Sequence, residues 1–322
     1  MLYRDWLKQW LSEKKGRVKE ATRANYSVAA VNHIIPRLGG YPLGEVTEAR
    51  LQEAVLFWLR QGRLDGRGGL SQKTVRDLVT IVRSSLHAAC RRFGMAEPAM
   101  EIYYPSSQRR TVAVLTERQQ EALVLTALRA PDGRTAGILI SLYTGLRIGE
   151  ICALQWRQID LEHGVVSVQK TIQRIFYKDW DGGSRSRLAV TPPKTENALR
   201  DVPLSRFLLS LLRPLAPGDP DVYLLTGTSE PMEPRAYRAF FARFLKKNGL
   251  PPLRFHSLRH TFATRCIEKG ADYKTVSALL GHATVNITLN LYVHPQMETK
   301  RRCVEHLPVF PRKDCAGGAA QK

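Results

Sequence analysis

Hydrophobic residues in the first hundred positions recur at the three- and four-residue spacing of amphipathic helices. The pattern predicts four helices, which begin near Leu2, Thr22, Thr47 and Ser71. Thr47 and Ser71 are residue types that cap helices, and Gly94 follows two arginines at the predicted end of the fourth helix. The first part of the chain is therefore predicted to be all-α.

The second part of the chain mixes helices with strands. Thr116 and Gln119 have the spacing of a capping box, and helical periodicity continues from there to Leu142. Residues 164–204 alternate with period two and predict three short strands, with a turn at residues 182–183. Helices then resume and continue to about residue 306.

These patterns predict a mainly α fold with a small antiparallel β-sheet. We expect an all-α domain over residues 1–105, an interdomain linker over 106–114, a mixed α/β domain over 115–310 and a flexible tail over 311–322. The linker is recognised by its prolines, its paired serines and its paired arginines.

The net charge of the chain indicates a polyanionic binding partner. Lys and Arg number 49 against 29 Asp and Glu, which gives a net charge of +20. Nucleic acid is the commonest polyanion that such a protein binds, although a solvated basic surface or an anionic membrane would also fit. Candidate DNA contacts lie along the fourth helix and in the linker: Lys73, Arg76, Arg83, Arg109 and Arg110.

The cysteines and apolar runs indicate a cytoplasmic protein, associated with the nucleoid. The five cysteines are an odd number without a C-x-x-C spacing, which is typical of a reducing compartment. Charges interrupt the amphipathic N-terminus, so no signal peptide is predicted. The longest apolar run, residues 136–143, is too short to span a bilayer.

Candidate chemistry is concentrated between His256 and His294. His256 and Arg259 are one helical turn apart, and His260 has the i, i+4 spacing of a zinc-binding helix. The carboxylate base of such a zinc site is absent, and a guanidinium between the imidazoles would oppose a dication. We therefore expect no metal, and we expect His260 to pack or to form hydrogen bonds.

Two upstream stretches offer further cations. Gly145 permits a tight turn before Arg147, and Glu150 lies one turn later, where its carboxylate can hold the guanidinium for phosphate binding. Lys194 is predicted on a turn between strands, where it could reach a DNA groove or protonate a leaving oxygen. The alternatives are a surface ion pair for Arg147 and a solvated side chain for Lys194.

Downstream, His282 follows a Leu-Gly pair at a predicted turn between helices, and Tyr292 lies on the next helix. Most tyrosines are half-buried packing residues. Tyr292 differs because it follows, in order, Arg147, Lys194, His256, Arg259 and His282.

Four stretches, TGLRIGE, PPKTENALRDVPL, HSLRHTFAT and LLGHATVNITLNLYVH, resemble the tyrosine recombinases of the phage and conjugative-transposon integrase family. The helical first domain resembles that family's SAM-like, core-site-binding domain. The resemblance implies a site-specific recombinase whose two domains close around a DNA duplex.

The resemblance also implies a role for each candidate residue. Tyr292 would attack a phosphodiester to give a 3′-phosphotyrosine and a free 5′-hydroxyl. Arg147, Arg259 and His282 would stabilise the transition state, His256 would assist proton transfer and Lys194 would protonate the 5′-oxygen. Glu150 would orient its neighbours, and no cofactor would be needed because the phosphotyrosine keeps the bond energy.

The implied partners are double-stranded DNA attachment sites, three further copies of the chain in a tetramer, and an excision factor or DNA-bending protein. The C-terminal helix at residues 296–306 would be exchanged between copies or pack on its own domain. No arm-site-binding segment is expected before the first helices, and the β segment over residues 169–188 is long for the family. Alternatives are a topoisomerase or telomere-resolving enzyme, and a DNA-binding regulator that has lost catalysis.

Overall fold

The computed structural model describes residues 1–106, 113–193 and 196–291, together with residues 301 and 305. Contacts divide the chain into two compact units, of which the first contains Met1–Thr111 and Ile172–Thr191. The second contains Val112–Thr171 and Pro192–Lys322, so the chain passes between the units three times. Within the described ranges, the helices all lack the length and apolar character needed to cross a membrane.

Helices of the first unit surround one hydrophobic core. They are α1 (Tyr3–Glu13), α2 (Glu20–Ala29), α3 (Ile35–Leu38), α4 (Glu48–Gln61) and α5 (Gln72–Phe93). The aromatic face of α1 is buried against α5, where Tyr3 is hydrogen-bonded to the Ser85 hydroxyl at 2.7 Å and the Trp6 indole donates to the Ser85 carbonyl at 2.8 Å. Ser85 thus satisfies the polar groups of two buried aromatic residues.

The caps of these helices follow most of the sequence predictions. The Ser71 hydroxyl accepts the Thr74 N–H at 3.1 Å, and Gly94 ends α5 in the left-handed region with φ 64°. Thr47 does precede α4, but its side chain makes no capping hydrogen bond, so the predicted cap is wrong in its chemistry. The main chain of Thr47 begins the helix instead, since its carbonyl accepts the Leu51 N–H at 3.0 Å.

The second unit places most of its helices around one buried helix. Its helices are α6 (Glu117–Leu128), α7 (Gly133–Thr144), α8 (Ile148–Cys152), α9 (Arg206–Leu212), α10 (Pro234–Lys247), α11 (His256–Glu268), α12 (Tyr273–Leu280) and α13 (Val285–Leu291). The predicted Thr116–Gln119 capping box precedes α6 and is confirmed. Helix α7 is buried from Thr135 to Leu142 and lies next to α11.

In the described part of the chain, five strands form two small sheets. They are β1 (Ile159–Asp160), β2 (Val165–Val168), β3 (Thr171–Lys178), β4 (Ser184–Thr191) and β5 (Arg200–Pro203). The order of the first sheet is β1-β2-β5, and β5 pairs antiparallel with β2 so that Val168 lies opposite Arg200. The mainly α fold with a small antiparallel sheet is therefore confirmed.

Strands β3 and β4 form a separate hairpin that belongs to the first unit. Ala24 of α2 is buried with Ile175 and Ala189 of the hairpin, which form a small apolar cluster. At its edge the Glu20 carboxylate accepts hydrogen bonds from the Tyr177 hydroxyl and the Arg187 guanidinium. The long β segment of the sequence is thus a hairpin bound to α2.

Candidate catalytic site

Three arginines from other parts of the second unit contact the C-terminal end of α12. Successive carbonyl oxygens at this end each accept a hydrogen bond from a different guanidinium. Leu279 accepts from Arg200 Nε at 2.7 Å, Leu280 from Arg259 Nη2 at 2.7 Å, and Gly281 from Arg147 Nη2 at 2.9 Å. The last carbonyls of a helix have no partner within it and carry partial negative charge, so this end favours cations. The helix end thereby holds the three guanidinium groups together.

Glu150 is the anion of this cluster, and its side chain is only 3% exposed. It accepts from Arg147 Nη1 at 2.7 Å and from Arg200 Nη2 at 2.9 Å. Burial alone would raise the pKa of Glu150, but the hydrogen bond and charge of Arg200, with the charge of Arg147, outweigh it and lower that pKa. The predicted Arg147–Glu150 pair is confirmed, and the alternative of a solvated surface pair is excluded.

Two glycines allow the elements of the cluster to meet. Gly145 ends α7 with φ 70°, and a Cβ there would lie 2.6 Å from Leu280 and 2.7 Å from Phe262. Gly281 ends α12 with φ 62°, and its Cβ would lie 2.9 Å from Arg200 Nη1. Both positions require the left-handed conformation and have no room for a side chain. Arg147, two positions after Gly145, and His282, directly after Gly281, consequently reach the cluster.

His256 and His282 join the cluster from α11 and from the turn after α12. The His256 ring meets His260 edge to face, with ring centres 4.6 Å apart. His282 Nδ1 is 2.8 Å from the buried Thr288 hydroxyl, a contact that fixes the orientation of the ring. The fold thus brings together side chains from three separate parts of the sequence: Arg147, the α11 pair His256 and Arg259, and His282.

Both histidines are neutral at pH 7. Burial first, and then the neighbouring His260, Arg259 and Arg147, lower the pKa of His256 to about 4. Burial and the charges of Arg259, Arg147 and Arg200 likewise lower the pKa of His282 to about 4. His256 can accordingly accept a proton, and His282 can act as a neutral hydrogen-bonding group rather than as a cation.

Sequence reasoning missed Arg200. It precedes the buried Val202 by two positions in β5, so the two residues share a face of the strand. A cation on the buried face of a strand requires a partner, and this alternation was the signal in the sequence. The side chain of Arg200 is 7% exposed.

Lys194 and Tyr292 lie outside the described residues, as do Arg109 and Arg110 of the linker and the predicted helix over residues 296–306 apart from residues 301 and 305. The three candidate DNA contacts on α5 are exposed. Lys73 pairs with Asp77 at 2.9 Å, Arg76 stacks on Tyr104, and Arg83 donates to the Met100 carbonyl.

Cations also line a groove of about 720 Å³ in the first unit, between the C-terminal end of α1 and α5. Arg83 is one of them, and the others were not singled out from the sequence: Lys14, Arg17, Arg91 and Arg92. Arg92 is paired with Glu13 at the groove.

Comparisons with known proteins place the sequence in a family. Residues 113–299 match the model of the phage integrase family, and residues 2–59 match the N-terminal SAM-like domain of phage integrases. A XerC-like tyrosine recombinase of Caldanaerobacter subterraneus is 28% identical over 262 residues, with 74% of this chain and 66% of that protein aligned. The ICEBs1 integrase of Bacillus subtilis is 26% identical, with 70% and 62% aligned. The chain thus spans just under two thirds of the length of these curated relatives.

Solved structures share the fold. The Tn1549 transposon integrase in complex with transposon right end DNA superposes with a TM-score of 0.74, at 23% identity, over 95% of this chain and 99% of that one. A lambda integrase tetramer bound to a Holliday junction gives 0.64 at 18% identity, over 90% and 77%. Since the family model covers more than half of the sequence, the chain belongs to the phage integrase family.

Proposed function

We propose that the protein is a tyrosine-type site-specific recombinase that cuts and rejoins DNA to integrate or excise a mobile element. One observation carries the proposal: three guanidinium groups converge on the end of α12, just before His282, and His282 precedes Tyr292 by ten positions in the sequence. Such a cluster suits a phosphodiester, because its three cations and the Glu150 carboxylate leave two net positive charges.

In the proposed reaction the Tyr292 oxygen attacks phosphorus and the bond from phosphorus to the 5′-oxygen breaks. A phenol has a pKa of about 10 and needs a base, and we assign the proton transfer to neutral His256. A bound phosphodiester would raise the pKa of His256 from its low value, because the anion favours the imidazolium. Lys194 gives a proton to the departing 5′-oxygen, and the reverse steps join a new 5′-hydroxyl.

Arg147, Arg259 and His282 act on the phosphorane. Charge accumulates on its equatorial oxygens, where preorganised donors stabilise the transition state more than the ground state. The helix end and Glu150 fix the two guanidiniums in advance, so little reorganisation accompanies the reaction. His282 contributes a hydrogen bond oriented by Thr288.

The first unit would bind DNA through its basic groove. Phosphates are the natural partners of Lys14, Arg17 and Arg91, which line this groove together with Arg83 of α5. The DNA complexes of the Tn1549 and lambda integrases support this partner for the chain. A homotetramer on two attachment sites, aided by an excision factor or a DNA-bending protein, completes the proposal.

A suicide substrate tests the proposed reaction. A duplex that carries the attachment site and a nick next to the cleavage position loses its 5′-hydroxyl fragment, which traps the covalent intermediate. We expect the wild type to form a protein–DNA adduct that survives denaturing electrophoresis, and Tyr292→Phe to form none while it still binds the site. An adduct with Tyr292→Phe would contradict the nucleophile, and no adduct with the wild type would favour a DNA-binding regulator.

A further inference from the structure

Arg200 was not among the predicted site residues, yet its guanidinium contacts several groups of the cluster. Its guanidinium meets both oxygens of Glu150, at 2.9 Å and 3.3 Å, and donates to the Leu279 and Ala198 carbonyls. A two-point contact between Arg and a carboxylate fixes both groups in one plane. Arg200 therefore holds the Glu150 carboxylate in place, and this carboxylate in turn accepts hydrogen bonds from Arg147.

The charges explain why a second arginine is needed here. Arg147 and Glu150 alone would form a neutral pair, and a neutral pair attracts a phosphate weakly. Arg200 supplies a second positive charge to the carboxylate, so the three side chains together remain cationic. Arg147 is 35% exposed and can meet a substrate, whereas Arg200 is enclosed by the protein.

We propose that Arg200 is a positioning residue for DNA cleavage, which acts through Glu150 to hold the Arg147 guanidinium ready for the scissile phosphate. This inference rests on the function proposed above. Arg200 does not itself touch DNA. It keeps the Glu150 carboxylate ionised and oriented. The Arg147 guanidinium then stays in a fixed orientation, and the three side chains together keep a net positive charge that attracts the phosphate.

The proposal predicts a change in the titration of Glu150. Among the residues that the structure describes, the charged or titratable groups that face this carboxylate are Arg147 at the start of α8, Arg200 on β5 and His256 on α11. With Arg200 the pKa of Glu150 lies below its ordinary value of 4.5. In Arg200→Met, only the charge and hydrogen bonds of Arg147 would oppose the effect of burial, and the pKa of Glu150 should rise. The carboxylate of the variant should therefore be protonated at a higher pH, and its cleavage rate should begin to fall at a higher pH than that of the wild type.

Single-turnover cleavage of the nicked substrate at saturating protein measures the functional effect. We expect Arg200→Met to cleave about 10- to 100-fold more slowly, the loss typical when a group that orients a functional side chain is removed. Its dissociation constant for the site should stay within about threefold of the wild-type value. Arg200→Lys should recover part of the rate, because an ammonium restores the charge but not the two-point contact.

Arg157→Met is the matched control, because Arg157 also pairs with a carboxylate in the second unit but lies at its surface, 49% exposed. It should cleave like the wild type. Cleavage by Arg200→Met at the wild-type rate, or a loss explained wholly by weaker DNA binding, would overturn the proposal.

A titration of Glu150 tests the coupling between Arg200 and Glu150 without measuring recombination. Carbon-13 NMR of protein labelled at the glutamate carboxyl carbons, with Glu150→Gln for assignment, should place the pKa of Glu150 higher in Arg200→Met than in the wild type. An equal pKa would overturn the proposal. If the methionine variant does not fold, Arg200→Lys should titrate near the wild type yet cleave more slowly, and equal cleavage would overturn it. A wild type that forms no adduct contradicts the proposed function, while the titration still tests the coupling of Arg200 to Glu150.

Discussion

At the scale of single residues, Gly281 is the position of the site where a larger residue would be hardest to accommodate. Its left-handed backbone ends α12, its carbonyl holds Arg147, and Arg200 and the Asn197 carbonyl occupy the space that a side chain would need. One residue without a Cβ thus lets the helix end accept all three guanidiniums. His282 follows it, with its own N–H bound to the Ser277 carbonyl at 3.1 Å.

Gly281→Ala should therefore cost more than backbone strain alone. Gly249 is a matched control, because it has φ 65° and a Cβ added there would meet no atom within 4 Å. We expect Gly249→Ala to lower the free energy of unfolding by about 1 kcal/mol, the usual cost of the left-handed region, and Gly281→Ala by about 2–3 kcal/mol. Urea denaturation measures both, and equal losses would show that Arg200 and the Asn197 carbonyl move aside at little cost.

The sequence predicted those contacts of the site that local spacing determines. Arg147 and Glu150 are three residues apart, as are His256 and Arg259, and helical geometry alone places each pair on one face. Arg200 could not be placed in the same way, because its carboxylate partner is fifty positions away and is reached only through the pairing of β5 with β2. The neutral state of the histidines likewise depends on burial, which spacing does not specify.

At the scale of elements, the β3–β4 hairpin is the part that the sequence described least well. Period-two alternation predicted strands in this region, but it contained no sign of their partner. The partner is α2, whose Ala24 is small enough for the hairpin to pack closely. Such a contact depends on tertiary structure and is not visible in a local pattern.

The polar edge of that contact should hold the hairpin in place, because its apolar cluster is small. Glu20→Gln removes the charge that Arg187 binds, and we expect backbone amides of β3 and β4 to exchange with deuterium up to about fivefold faster. Glu13→Gln is the control, since Glu13 pairs with Arg92 in the same unit away from the hairpin. Equal exchange in both variants would show that the apolar cluster suffices.

At the scale of the whole molecule, the sequence predicted two parts and their order. Contacts group residues 172–191 with the N-terminal helices, although these residues lie between β2 and β5 of the second unit in sequence. The cationic cluster is built entirely from the second unit, from residues spread between Gly145 and His282. The same unit carries Tyr292 in sequence, so the proposed nucleophile and the proposed phosphate-binding groups belong to one continuous family match.

The most direct test of the proposed chemistry is to identify the residue that becomes attached to DNA. The adduct trapped on the suicide substrate is digested with nuclease and protease, and the modified peptide is sequenced by mass spectrometry. We predict a nucleotide linked through its 3′-phosphate to Tyr292, in the peptide that follows His282. A nucleotide on any other residue, or one linked through a 5′-phosphate, would contradict it.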